Sequence, residues 1–175
     1  MTSKKKILFV FGTRPEAIKL APVIREMEKH TDKFAPVLIA TGQHREMLDQ
    51  VLKPFNIKPK YDLKIMEEGQ SISQVVSKTL LGLEKLIPKE RPDMIIVQGD
   101  TSTAFSASLS SYYHKIPLAH VEAGLRTHDK YRPFPEELNR KLTGAITDIH
   151  FAPTIGSLQN LISEGVNKKS IHLTG

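Results

Sequence analysis

Ile7-Leu8-Phe9-Val10-Phe11-Gly12-Thr13-Arg14-Pro15-Glu16-Ala17-Ile18-Lys19 decides how the rest of the chain is read. Five apolar residues in a row suit a strand buried on both faces, as in a parallel sheet. Thr13 and Glu16 have the spacing of a capping box, and Pro15 suits a first helical turn, so the strand is expected to pass directly into a helix. Free N–H groups at such a helix start attract phosphate, and Arg14 and Lys19 add positive charge. The plainer reading makes Arg14 and Glu16 ordinary surface charges.

Apolar runs of the same kind recur at Pro36–Ala40, Met94–Val97, Leu118–Val121, Ile149–Ala152 and Ile171–Leu173. Helical patterns lie between them. Ile18, Ala21, Ile24 and Met27 repeat at helical spacing. Ile72, Val75, Val76, Thr79, Leu80, Leu83 and Ile87 do the same, between a Ser71/Gln74 capping pair and Pro88. Strands alternating with helices predict right-handed β-α-β units, hence an α/β, Rossmann-like, doubly wound parallel sheet. The stretch Pro54–Gln70 is less regular, and its alternating segment Tyr61–Met66 reads as an extra strand or a loop.

Composition narrows the function classes. The 175 residues, 39% hydrophobic, suffice for one packed domain, residues 1–175. There is no cysteine, so no disulfide framework or thiolate metal site is expected. No apolar run approaches a membrane span or a signal sequence, which predicts a cytoplasmic protein without membrane association. The net charge is +6, but the cations are dispersed apart from Lys4–Lys6 and aromatics make up 6%, so nucleic acid is not the expected partner. An anionic small substrate or an acidic partner accounts for the same excess.

In an open parallel sheet, ligands bind beyond the carboxyl ends of the strands. The residues there are polar. Asp100 follows Gln98-Gly99 and reads as an acid/base group or as a helix N-cap. Glu122 follows Val121 and reads as a second such group, a partner of Arg126 or a helix start. If the two strands are neighbours, these carboxylates share a rim, and their repulsion would raise one pKa. Glu136 and Glu137 would open a helix after the stiff segment Arg132-Pro133-Phe134-Pro135, where acidic residues also favour the helix dipole. Thr41-Gly42-Gln43-His44-Arg45 offers groups for a sugar or phosphate, or a solvated loop.

Five motifs stand together: Phe-Gly-Thr-Arg-Pro-Glu-Ala-Ile-Lys at 11–19, Gln-His-Arg-Glu-Met-Leu-Asp-Gln at 43–50, Gly-Asp-Thr-Ser-Thr at 99–103, His-Val-Glu-Ala-Gly-Leu-Arg-Thr at 120–127 and Pro-Glu-Glu-Leu-Asn-Arg at 135–140. With them, the chain resembles the amino-terminal half of the bacterial non-hydrolysing UDP-N-acetylglucosamine 2-epimerases. The resemblance implies the first half of a GT-B-type two-domain fold, with a carboxy-terminal UDP-binding domain beyond this chain and substrate between the two. It implies interconversion of UDP-GlcNAc and UDP-ManNAc by anti elimination and re-addition of UDP through a 2-acetamidoglucal, without cofactor or metal, for cell-surface polysaccharide. It also implies Asp100, Glu122 and Glu136 as acid/base carboxylates, and Arg14 and Lys19 as contacts to the nucleotide-sugar. Gln43, His44 and Gln70 match an activator site for a second UDP-GlcNAc, although Glu46 and Gly69 depart from some relatives. A homodimer packed through helices such as Ser71–Ile87 is a further implication. The alternatives are a hydrolysing enzyme that releases ManNAc and UDP, or, for these 175 residues alone, a non-catalytic binding or dimerisation module. A dinucleotide-dependent oxidoreductase is disfavoured, because no Gly-x-Gly-x-x-Gly follows Phe11.

Overall fold

The computed structural model describes residues 4–42, 50 and 52–175. Seven parallel strands, β1 (Lys5–Phe11), β2 (Phe34–Ala40), β3 (Tyr61–Asp62), β4 (Met94–Gln98), β5 (Leu118–Val121), β6 (Ile149–Ala152) and β7 (Ile171–Leu173), form one sheet in the order 3-2-1-4-5-6-7. The described helices are α1 (Arg14–Lys29), α2 (Ile72–Glu90), α3 (Ser102–Tyr113), α4 (Glu136–Ile146) and α5 (Ile155–Ser163). This is the doubly wound order of Rossmann domains, whose winding reverses between β1 and β4. None of the described helices is long and apolar enough to cross a membrane.

Both faces of the sheet are covered, as the continuous apolar runs require. Phe9, Phe11, Leu38 and Ile96 pack with Ala17, Leu20 and Ile24 of α1 on one side, and Leu8, Val10, Ile95 and Val97 pack with Leu83, Ile87 and Ala107 on the other. The buried stripe of α1 is Ala17, Leu20, Ala21 and Ile24, while Ile18 is 40% exposed. The expected phase was therefore wrong at Ile18, which stands about 100° from Ala17 around the helix and faces outward.

Two boundaries also differ. Helix α2 starts at the expected capping box, with Ser71 Oγ accepting from Gln74 N–H (3.3 Å) and Gln74 Oε1 from Ser71 N–H (2.7 Å). It runs through Pro88 to Glu90 and stops at Arg91, whose φ is +49°. A proline so close to the end removes one helical hydrogen bond without breaking the last turn. The Tyr61–Met66 segment supplies only the two-residue edge strand β3, paired with Ile39 and Ala40. Pro36 is tolerated inside β2 because β3 does not reach it.

Helix α3 lies between α2 and α4. It is buried along Thr103, Ala104, Ser106, Ala107, Ser108, Ser110 and Ser111. Such small side chains let three helices approach closely, and Ser106 and Ser108 return their hydroxyls to the carbonyls of Ser102 and Ala104 (2.6 and 2.7 Å).

Candidate active site at the carboxyl rim

The reversal between β1 and β4 places the β1–α1 and β4–α3 turns side by side, and Glu16 ties them together. Its Oε2 accepts from the N–H groups of Gly12 (2.8 Å) and Thr13 (2.6 Å) and from the Thr13 hydroxyl (2.8 Å), while Oε1 accepts from the Thr101 hydroxyl (2.6 Å). The carboxyl is completely buried, and burial pushes its pKa above the usual value, outweighing the hydrogen bonds from Thr101, Gly12 and Thr13. This corrects two expectations. Glu16 is not a surface charge, and the Gly12 and Thr13 N–H groups are not free for a phosphate. Arg14 is exposed at the start of α1 and has no partner among the described residues.

Glu122 leaves β5 with φ +66°. Lys19 from α1 reaches across to both its oxygens, at 2.6 and 2.7 Å, and the Gln98 side-chain amide at the end of β4 also donates to Oε2. Arg126, the alternative partner, turns away and holds Glu164 by two bonds of 2.8 and 2.7 Å. A cleft of about 430 Å³ opens beside the Lys19–Glu122 pair, with Val23, Val121, Phe151 and Pro153 as apolar wall.

Asp100 sits one strand over, as expected from the β4–β5 pairing. It does not cap α3; Thr101 does, accepting from Ala104 N–H (3.0 Å). Arg140 of α4 grips Asp100 Oδ2 through two nitrogens, at 2.9 and 2.6 Å, and Asn139 donates to the Asp100 carbonyl at 2.9 Å. The two carboxylates are thus not a repelling pair: each faces its own cation.

Those contacts dock the first turns of α4 onto the rim and bring Glu136 with them, since Glu136 lies one turn before Arg140. Glu136 Oε2 is buried without a hydrogen-bond partner among the described residues. Its neighbour Glu137 is structural. It is fully buried and accepts from Thr127 N–H (3.0 Å), His128 N–H (3.1 Å) and Arg140 (3.1 Å), which outweigh burial and hold its pKa below the usual value.

Of the three residues expected at an activator site, Gln43 and His44 lie outside the described residues. Gln70 borders a recess of about 280 Å³ with Met66, Gly69 and Ser102, and its Oε1 is buried without a partner among the described residues. A larger recess, about 640 Å³, opens among Tyr112, Ile116, Pro117 and Ile146 at the opposite ends of the strands, away from these groups.

Sequence reasoning missed Gln98, Arg140 and the buried role of Glu16. One signal was available: Glu136 and Arg140 are four apart, hence on one helix face.

The family model of UDP-N-acetylglucosamine 2-epimerase matches residues 25–175. The UDP-N-acetylglucosamine 2-epimerase of Bacillus subtilis is 52% identical over 172 residues, which are 98% of this chain and 45% of that protein. Among solved structures, UDP-GlcNAc 2-epimerase from Neisseria meningitidis bound to UDP-GlcNAc is 49% identical with a TM-score of 0.94, matching 97% of this chain and 46% of that one. The S. aureus MnaA structure with UDP is 51% identical with a TM-score of 0.94, matching 98% and 45%. The chain spans a little under half the length of these relatives.

Proposed function

This chain belongs to the UDP-N-acetylglucosamine 2-epimerase family, and we propose that it forms the acid/base half of a cytoplasmic, homodimeric enzyme that interconverts UDP-GlcNAc and UDP-ManNAc. A second domain of the same polypeptide would hold most of the UDP, and the product would serve cell-surface polysaccharide. The observation that supports the reading is that Asp100 and Glu122 follow neighbouring strands at one rim, paired with Arg140 and Lys19, and that Glu136 opens the helix whose Asn139 and Arg140 hold Asp100.

Inversion at an unactivated C2 by elimination needs a base on one face of the sugar and an acid on the other. In the forward direction a carboxylate takes the C2 proton, the C2–H electrons form the C1=C2 bond, and the C1–O bond breaks with its electron pair leaving on UDP. Re-addition reverses these steps, with a proton delivered to the opposite face of C2 from a second carboxylic acid. Cations near the departing diphosphate lower the barrier. Arg14, exposed and unpartnered among the described residues, and Lys19, on a flexible stem, would supply that charge.

The test is proton NMR of UDP-GlcNAc incubated in deuterium oxide with the intact two-domain enzyme and, separately, with this chain. UDP-ManNAc carrying deuterium at C2, formed by the intact enzyme, is the expected result. Free ManNAc and UDP would replace this reading with the hydrolysing one, and absence of C2 exchange in the intact enzyme would overturn both.

A further inference from the structure

His120 has no role in the reading above, yet it is 1% exposed and lies two residues before Glu122 in β5. Its Nε2 stands 2.7 Å from the carbonyl oxygen of Gly99, the residue before Asp100. A carbonyl can only accept, so Nε2 must carry the ring proton. The ring is neutral, because burial depresses its pKa to about 4, and His150, Arg126 and Asp100 are the charged or titratable groups that act on it. Nδ1 is then a bare acceptor, buried without a partner among the described residues.

Gly99 is fastened to β5 twice. Its N–H donates to Val121 O at 3.0 Å, and its carbonyl accepts from His120. Gly99 has φ +73°, so the chain turns sharply there and the direction of Asp100 depends on how that turn is held. One residue later, Asn139 holds the Asp100 carbonyl and Arg140 its carboxylate. Removing the His120 contact would leave a buried carbonyl unpaired and release one of these four attachments. An acid/base group displaced by about 1 Å can lose about a hundredfold in rate.

We propose that His120 is a positioning residue for Asp100: its Nε2–H fixes the Gly99 carbonyl and thereby the aim of the Asp100 carboxylate. This rests on the proposed acid/base role of Asp100.

The experiment combines a tautomer measurement with two variants of the intact enzyme. Ring nitrogen NMR of the wild type is expected to show protonated Nε2 and bare Nδ1 for His120 from about pH 5.5 to about pH 8.5. His120→Phe keeps the ring volume and removes the donor. It is expected to lower kcat at least about tenfold with KM within about twofold, and to shift the Asp100 carboxyl carbon signal. His120→Gln, whose amide nitrogen can reach the same carbonyl, should restore both to near wild type. An Nδ1–H tautomer, or a His120→Phe enzyme with both kcat and the Asp100 signal unchanged, overturns the inference. If His120→Phe does not fold, the wild-type tautomer and His120→Gln decide. Should the wild type show no epimerisation, the functional reading fails, and the positioning is still decided by the tautomer and the Asp100 signal.

Discussion

Replacing Glu16 separates its structural work from its charge. In Glu16→Ala the buried N–H groups of Gly12 and Thr13 lose their acceptor, while the Thr13 and Thr101 hydroxyls can rotate to others. Each orphaned N–H costs about 1–3 kcal/mol, so the loss should total about 2–6 kcal/mol. At 2–4 °C per kcal/mol for a domain of this size, the middle of that range lowers Tm by roughly 8–16 °C. In Glu16→Gln the amide oxygen can take the place of Oε2, and the amide NH2 can donate to Thr101 Oγ1, so the cost should stay within about 1 kcal/mol. The two variants also differ in pH dependence. Because the folded-state pKa of Glu16 is raised above the usual 4.5, its favourable contribution is complete below that value and is lost as pH rises through the folded pKa. Glu16→Gln should therefore gain on the wild type as pH increases. Urea denaturation of both variants across pH measures all of this. A Glu16→Ala cost under about 1 kcal/mol, or equal costs for both variants at every pH, would refute the reasoning.

Asp100→Asn and Glu122→Gln in the intact enzyme should each lower kcat by at least about a hundredfold, with UDP affinity by calorimetry nearly unchanged; near wild-type turnover would remove the role assigned to that residue. Arg14→Ala should weaken UDP binding by about 1–3 kcal/mol, and an unchanged affinity would make Arg14 an ordinary surface charge. Glu90, 4% exposed, accepts hydrogen bonds from Lys60 (2.7 Å), Tyr61 and Lys6 (3.2 Å); burial alone would raise its pKa, but these donors hold it at about 2. A depressed carboxylate stabilises above the unfolded value and loses that contribution as pH falls toward 2, so Glu90→Gln should flatten the acid side of the urea-midpoint profile, and an unchanged profile would count against this cluster.

The strands and the winding of the sheet were legible because they are local: Ile7–Phe11 or Leu118–Val121 is apolar in any context, and parallel topology places the following residues on one rim. What escaped was set by partners distant in sequence. The spacing of Thr13 and Glu16 predicted a cap, but that Glu16 also reaches Thr101, 85 residues away, depends on β1 and β4 being neighbours. Asp100 and Arg140 were both within quoted motifs, yet their pairing across 40 residues follows from the docking of α4 and not from either motif. Ile18 failed differently. Its spacing fitted a stripe with Ala21 as well as Ala17 fits one with Leu20, and burial against the sheet selected the second.

The two rim carboxylates differ in how their lone pairs are occupied, which would suit them to different parts of the proposed acid/base chemistry. An ionised carboxylate offers about four acceptor positions. Asp100 uses only Oδ2, toward the fork of Arg140, and its Oδ1 has no partner among the described residues. In the proposed role, Oδ1 is the oxygen that would exchange the proton. Glu122 is engaged on both oxygens, by Lys19 twice and by Gln98 once. In the proposed role, proton transfer there would be eased by release of Lys19, which, with 46% of its side chain exposed, is also the cation proposed to meet the nucleotide-sugar. On the proposed reading, an incoming diphosphate would compete with Glu122 for that ammonium, so that binding the anion would free the base. Substrate recognition and acid/base readiness would thereby be joined through one lysine, whereas Arg140 is anchored to both Asp100 and Glu137 and holds the Asp100 carboxylate in place.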